Sequence, residues 1–284
     1  AWDVPGLEPY HGKDIFLTEA LTLEALKAIE KPIQQGKPFY LYMAHYAIHA
    51  PLMEDKRFYQ KYLDQGIDPI EAKYASMIEA MDNAIGRILK EIDRLGIAED
   101  TFVVFTSDNG PFGGVGDPAP LRGDKGHLYE GGIRVPLIVR WPGKITSGRT
   151  CKEPVILTDF YPTLLEVAGL KPSTEYAGDG ASLMPLLTSE IAPERDAIFW
   201  HYPNFAFHKD NRLGSAVRMD NFKLIEFFDD NSVELYDLVE DIGERRNLAA
   251  TMPEKAAAMK ERLHKWRSDS KAAMPVKRTQ AKAE

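Results

Sequence analysis

The sequence of 284 residues contains one cysteine, Cys151. No disulfide can therefore form within the chain, and no cysteine-built zinc cluster is available. No apolar run approaches the roughly 20 residues that a bilayer-crossing helix needs. The formal net charge of -8 gives no overall basic field, so neither a membrane span nor nucleic-acid binding is expected. The chain opens AWDVPGLEPYHGK, without an initiator Met or an apolar signal segment, as expected of a mature, trimmed or truncated product. What is present is 44% hydrophobic residues over a length that suits one large domain, or a domain with a subdomain.

The apolar pattern divides the chain into two styles. Thr18 to Glu30 (TEALTLEALKAIE) predicts a helix with Thr18 as N-cap and Leu21, Ala25, Leu26 and Ile29 on one face. Phe39 to Ala44 (FYLYMA) predicts a strand buried on both faces. From about Ile70 to Leu95, Tyr74, Met77, Ile78, Met81, Ile85, Ile88, Leu89 and Ile92 recur at three- and four-residue steps and Gly96 supplies a stop, which predicts a long helix. Thr101 to Thr106 (TFVVFT) and Val135 to Arg140 (VPLIVR) read as two further buried strands. Strand, helix, strand is the grammar of a parallel sheet with helical crossovers, whose ligand sites lie beyond the carboxyl ends of the strands. Beyond about Gly178, short strands at Ala197 to His201, Leu213 to Met219, Phe222 to Phe228 and Ser232 to Tyr236 are joined by tight polar links, which predicts an antiparallel sheet. A final helix, Pro253 to Ser268, turns Ala256, Met259, Leu263 and Trp266 to one side to cover it. The expected division is thus 1–178 (α/β), 179–268 (antiparallel-sheet subdomain) and 269–284 (a flexible polar tail).

The stretch from Thr106 to Pro136, TSDNGPFGGVGDPAPLRGDKGHLYEGGIRVP, carries eight glycines in thirty-one residues. Asp108 and Asn109, at a strand end, offer side-by-side oxygens suited to a hard cation such as Ca²⁺ or Mg²⁺; an Asx-turn closing the strand is the plainer alternative. His49 follows His45 by four residues in HYAIH, and an imidazole there can hold an oxyanion or protonate a leaving group. A structural histidine is the competing reading, and zinc fits poorly without a third ligand. Lys125, between Asp124 and Gly126, can approach an anionic ester through glycine-rich backbone; alternatively it is a solvated lysine paired with Asp124. The order of residues is not that of a Walker A loop. Glu130 and Arg134, around Gly131-Gly132, suggest an ion pair bracing the turn into the next strand. His201, His208 and Arg212 fall in a polar link where solvation is the expected state.

These motifs resemble those of the sulfatases of the alkaline-phosphatase-like superfamily over nearly the full chain: FYLYMAHYAIHAPL, YASMIEAMDNAIGRIL, TFVVFTSDNG, LRGDKGHLYEGGIRVPLIVRWPGKI, TDFYPTLLEVAGL and DGASLMPLL. RMDNFKLI and ELYDLVEDIGERRNLA are similar to the family's C-terminal subdomain. The resemblance implies a sulfuric ester hydrolase in which Asp108 and Asn109 ligate a divalent cation, usually calcium, and Lys125 binds the sulfate. It implies that His49 holds the sulfate and helps to protonate the leaving oxygen. The family's nucleophile is a formylglycine made from the Cys or Ser of C/S-x-P-x-R.

Cys151 lies in TCKEPV, and neither that motif nor the family's early Asp-Asp pair occurs here. The chain is accordingly expected to be the C-terminal part of a sulfatase, inactive and weak in metal binding without its missing N-terminal segment, its essential partner. The substrate would be a sulfated small molecule or glycan, and the location periplasmic or secreted, as is usual in the family. Two other readings stay open, namely a non-catalytic remnant that binds a sulfated glycan or partner, and a phosphate or phosphonate ester hydrolase of the same superfamily. The EGG string favours sulfate.

Overall fold

Residues 4–171, 173, 178–204 and 210–276 are described by a computed structural model. Backbone contacts divide it into two units, Ala1–Val103 with Trp141–Lys144, and Val104–Arg140 with Ile145–Glu284.

In the first unit, α1 (Leu17–Gln34) and α2 (Tyr59–Asp64) pack against α3 (Pro69–Arg94). The long helix is the one that the periodicity predicts. Asp68 caps it, its carboxylate accepting the Ile70 N–H at 2.8 Å, Pro69 occupies the first position, and Gly96 at φ +69° ends it; a proline just inside and a left-handed glycine just outside are the expected terminators. The buried face of α3 includes Ala72, Tyr74, Met77, Ala80, Ala84 and Ile92, and that of α1 includes Ala20, Thr22, Ala25 and Ile29. Glu19 on α1 links Arg57 and Arg87 at 2.6 and 2.5 Å.

Two expectations fail here. The cap of α1 is Phe16, and Thr18 lies buried inside the first turn, where its carbonyl accepts from the Thr22 hydroxyl at 2.6 Å; a side chain turned into the core cannot cap. Residues 39–44 have no ladder partner among the described residues. Phe39, Leu41 and Met43 are half-buried while Tyr40 and Tyr42 are 73% and 78% exposed. That alternation is the period of an extended chain with one face covered, and amphipathic tyrosines made an alternating segment read as uniformly apolar.

The second unit holds β1 (Val103–Thr106) and β2 (Leu137–Arg140), which form a two-stranded sheet. Between them lies the one-turn helix α4 (Glu130–Ile133). Both strands are half-buried, with Ile138 exposed, rather than covered on both faces as their composition predicts. Next come α5 (Phe160–Val167) and α6 (Met184–Ser189). Their junction is organised by the buried Asp159 carboxylate, which accepts from the Ile156 and Ala181 N–H groups, both at 2.9 Å, and from Arg195 at 2.7 Å.

The remaining strands, β3 (Ile198–Tyr202), β4 (Gly214–Met219), β5 (Phe222–Phe227) and β6 (Val233–Asp237), form the expected antiparallel sheet in sequence order. Side chains alternate across it. Leu224 packs with Val217 and Leu235 against Ala256, Met259 and Leu263 of α7 (Pro253–Asp269), and the Phe199 and Trp266 rings stack at 4.8 Å. The other face carries Ala216, Ile225, Phe227 and Tyr236 onto Leu128 and Tyr129 of the glycine-rich segment. The four-stranded sheet thus has a helix on one side and the loop preceding α4 on the other. Asp269 closes α7, and residues 277–284, half of the expected tail, lie outside the described residues.

Leu263 is fully buried at the centre of the helix–sheet contact. Leu263→Ala should destabilise the protein by about 2–5 kcal/mol in urea unfolding, the usual loss for a core leucine.

Candidate active site

The segment from Asp108 to Arg134 is folded by backbone-to-backbone contacts that only glycine permits. The Gly110 N–H donates to Gly132 O at 3.0 Å, Gly131 N–H to Arg122 O at 2.8 Å, and Lys125 N–H to Pro111 O at 2.9 Å. A Cβ on Gly110 would lie 1.8 Å from Gly131 O, one on Gly131 2.1 Å from Gly123 O, and one on Gly132 2.2 Å from His127 O. The stretches DNG, LRGDKG and EGG are thereby brought together through their main chains.

On this frame Asp108 is exposed and has no hydrogen-bond or ion-pair partner among the described residues. The Asn109 amide donates through Nδ2 to Gly110 O at 2.9 Å, which fixes the carboxamide plane and leaves Oδ1 as an acceptor. A free carboxylate beside an oriented amide oxygen is a set of hard donors that fits Ca²⁺ or Mg²⁺. The two residues amount to part of a coordination shell: among the described residues no three His, Cys, Asp or Glu side chains cluster as metal ligands.

Lys125 is half-buried, and its ammonium has no partner among the described residues. Asp124 pairs instead with His127, Oδ1 to Nδ1 at 2.8 Å. The pairing of Lys125 with Asp124 therefore does not form, and an uncommitted cation remains in the loop.

His49 belongs to the first unit and is exposed. Its Nδ1 is 2.7 Å from Ala50 O and its ring leans on Tyr46 at 5.3 Å. A carbonyl can only accept, so Nδ1 carries a proton and Nε2 is the nitrogen left to receive or give one. His45 is different. Both its ring nitrogens are buried without a hydrogen-bond partner among the described residues, and burial pushes its pKa down from the usual histidine value.

Glu130 and Arg134 form an ion pair, Nε to Oε2 at 2.6 Å, and two further residues that the motifs did not single out join it. Lys223 on β5 places its ammonium 2.8 Å from Glu130 Oε1 and 2.6 Å from Glu244 Oε1. Glu244 Oε2 accepts the Glu130 N–H at 2.6 Å. Burial acts to raise the pKa of both carboxyls. For Glu130 the Lys223 and Arg134 charges prevail and hold it below the usual value, whereas for Glu244 burial prevails and its pKa stays raised. The readable signal was parity: Lys223 stands on the strand face otherwise occupied by Ile225 and Phe227. Near the same segment, His201 is bonded at both nitrogens, to Ser215 and Ala273, each at 2.7 Å. Arg212 is forked onto Asp229 and lies over the Phe227 ring at 3.8 Å. Neither is merely solvated, and His208 lies outside the described residues.

A hard-donor pair and a lysine without a partner among the described residues thus sit on interlocked glycine turns in an α/β scaffold, groups whose chemistry suits a hard cation and an anion. The chain belongs to the sulfatase family: the Sulfatase family model matches residues 4–170, and the model for the C-terminal part of N-sulphoglucosamine sulphohydrolase matches residues 123–269. A sulfatase of Formosa agariphila is 36% identical over 277 residues, covering 88% of this chain and 50% of the relative. The steryl-sulfatase of Mus musculus is 34% identical over 197 residues, 66% of this chain and 30% of the relative. The crystal structure of Ps i-CgsB in complex with k-i-k-neocarrahexaose superposes with a TM-score of 0.80 at 27% identity, covering 90% of this chain and 56% of that one. The fold is the alkaline-phosphatase-like one of these sulfatases, and the chain spans about half the length, or less, of the curated relatives it matches.

Gly110→Ala should force main chain apart and cost about 1–3 kcal/mol or more. Gly86→Ala, in open space on α3, should be neutral or stabilising by up to about 1 kcal/mol. Paired urea titrations measure both.

Proposed function

We propose that the protein of which this chain is a part is a sulfuric ester hydrolase acting on a sulfated small molecule or glycan. The observation that carries this reading is the backbone interlock that sets Asp108, Asn109 and the uncommitted Lys125 on one frame in a chain of the sulfatase family. A glycan substrate is supported by the similar structure solved in complex with k-i-k-neocarrahexaose.

The Lys125 ammonium binds a sulfate oxygen and stabilises the charge that builds there as the ester bond breaks. A cation already in place requires no reorganisation at that moment. The Asp108 carboxylate and Asn109 Oδ1 would hold Ca²⁺ or Mg²⁺, whose positive charge would supply Lewis-acid stabilisation to an ester oxygen. His49 keeps its Nδ1 proton on Ala50 O and, when protonated at Nε2, delivers that proton to the departing alcohol oxygen, becoming neutral. Formylglycine, from a segment outside this chain, supplies the nucleophile.

The chain alone is inactive in this account. Two ligand residues supply two or three of the roughly six to eight oxygens that calcium takes. An exported location, periplasmic or secreted, goes with the reading, and no helix among the described residues is long and apolar enough to cross a membrane.

In the full-length protein, Lys125→Ala should lower kcat for a sulfate ester by about 10²–10³-fold, the typical loss when one charge-stabilising group is removed, with little change in melting temperature. A parallel fall in melting temperature, accounting for the lost activity, would make the lysine structural. Faster turnover of the matching phosphate ester would favour the phosphatase reading.

A further inference from the structure

The cluster around Lys223 is enclosed to a degree that its charge makes costly. The side chains of Lys223, Glu130 and Glu244 are 0%, 3% and 0% exposed, and apolar residues of similar volume would often be as stable or more so at such a place. What charged groups add is direction. Glu130 is held at both carboxylate oxygens, by Lys223 and Arg134, and at its backbone N–H by Glu244. Glu244 itself has a left-handed backbone, φ +51°, a conformation uncommon without glycine and maintained only where the surroundings fix it. Its Oε1 lies close to the ammonium yet without a hydrogen-bonding angle, as expected of an oxygen placed by the rest of its residue.

Glu130 is the first residue of the EGG turn, so whatever fixes it fixes the carbonyls that follow. Gly132 O receives the Gly110 N–H, one residue from Asn109, and Gly131 donates to Arg122 O, three residues before Lys125. A Cβ added at Gly110, Gly131 or Gly132 would lie within 2.3 Å of a facing carbonyl oxygen, so these segments meet main chain to main chain. We propose that Lys223 and Glu244 are positioning residues: acting through Glu130 they orient the EGG turn, and through its backbone the Asp108–Asn109 pair and the Lys125 loop. The subdomain sheet thereby becomes part of the active-site apparatus. The assignment rests on the functional reading above for what is positioned, and on the contacts alone for the positioning.

The test compares Lys223→Met with Leu224→Ala in the full-length protein. Leu224 is the next residue on β5, fully buried on the opposite face against α7, so both variants should melt lower. Two readouts separate positioning from bulk stability. Amide exchange at Gly110 and Lys125 should accelerate about ten-fold or more in Lys223→Met and less than about two-fold in Leu224→Ala, since local opening need not follow global unfolding. Calcium affinity by calorimetry should fall about 10–100-fold in Lys223→Met, as for lost outer-shell support of metal ligands, and stay within about two-fold in Leu224→Ala. Equal effects of the two variants on either readout would overturn the proposal. Should Lys223→Met fail to fold, Glu244→Gln, nearly isosteric, is read in the same two ways, and unchanged exchange and affinity there would overturn it equally. Neither readout requires turnover, so a wild-type protein that hydrolyses no sulfate ester would sink the functional reading and leave this test standing.

Discussion

The contact on which the site depends is the approach of Gly110 to the Gly131–Gly132 peptide. It is made by main chain on both sides, closer than any side chain would permit. A hydrogen bond of 3.0 Å from Gly110 to Gly132 therefore transmits position with little slack, and Asp108 and Asn109 take their placement from a turn more than twenty residues away. Glycine is entropically expensive to order, and that cost is justified where backbone must meet backbone.

Two kinds of charge stand beside the glycine interlock. Lys223, Glu130 and Glu244 are buried and paired; removing one partner of such a set typically costs about 3–5 kcal/mol, because the remaining charge stays buried. The ammonium of Lys125 and the carboxylate of Asp108 have no partners among the described residues, and a pair of charges so left gives the fold nothing. In the first unit, His49 commits one nitrogen to a carbonyl and keeps the other available. One set of ionisable groups is committed to the fold, and the other is the set that the proposed function assigns to a ligand. That separation lets a reactive site change its protonation or binding state without disturbing the core.

Much of this was legible in the sequence because it follows from local periodicity. The helix at Pro69–Arg94 and the four-stranded sheet from Ile198 to Asp237 lie within a residue or two of the predicted bounds, since three- and four-residue apolar steps and tight Asp/Asn links determine such elements with neighbours close in the chain. The motif DNG and the K-G-x-x-x-E-G-G-x-R-x-P string located the glycine interlock. What depends on distant contacts was harder to read. The extended segment at 39–44 was misjudged because tyrosine counts as apolar in composition yet tolerates solvent through its hydroxyl end. Thr18 looked like a cap because the first buried position of a helix and its cap can be the same residue type. Lys223 was passed over because strand parity, which puts it on the inward face of Ile225 and Phe227, names no partner for it; its partners are 93 residues before it and 21 after it.

The central claim is that this chain carries part of a divalent-ion and sulfate site, completed by sequence outside it. Calcium affinity measured for the chain alone, and for the same chain joined to its in-frame upstream segment, tests that most directly. The account predicts that the joined protein binds one ion at about 10⁻⁵ M or tighter, in the range of full oxygen shells. The chain alone should bind it about a hundred-fold more weakly or worse, since a few donors cannot replace a hydration shell. Equal affinity of the two forms would contradict it.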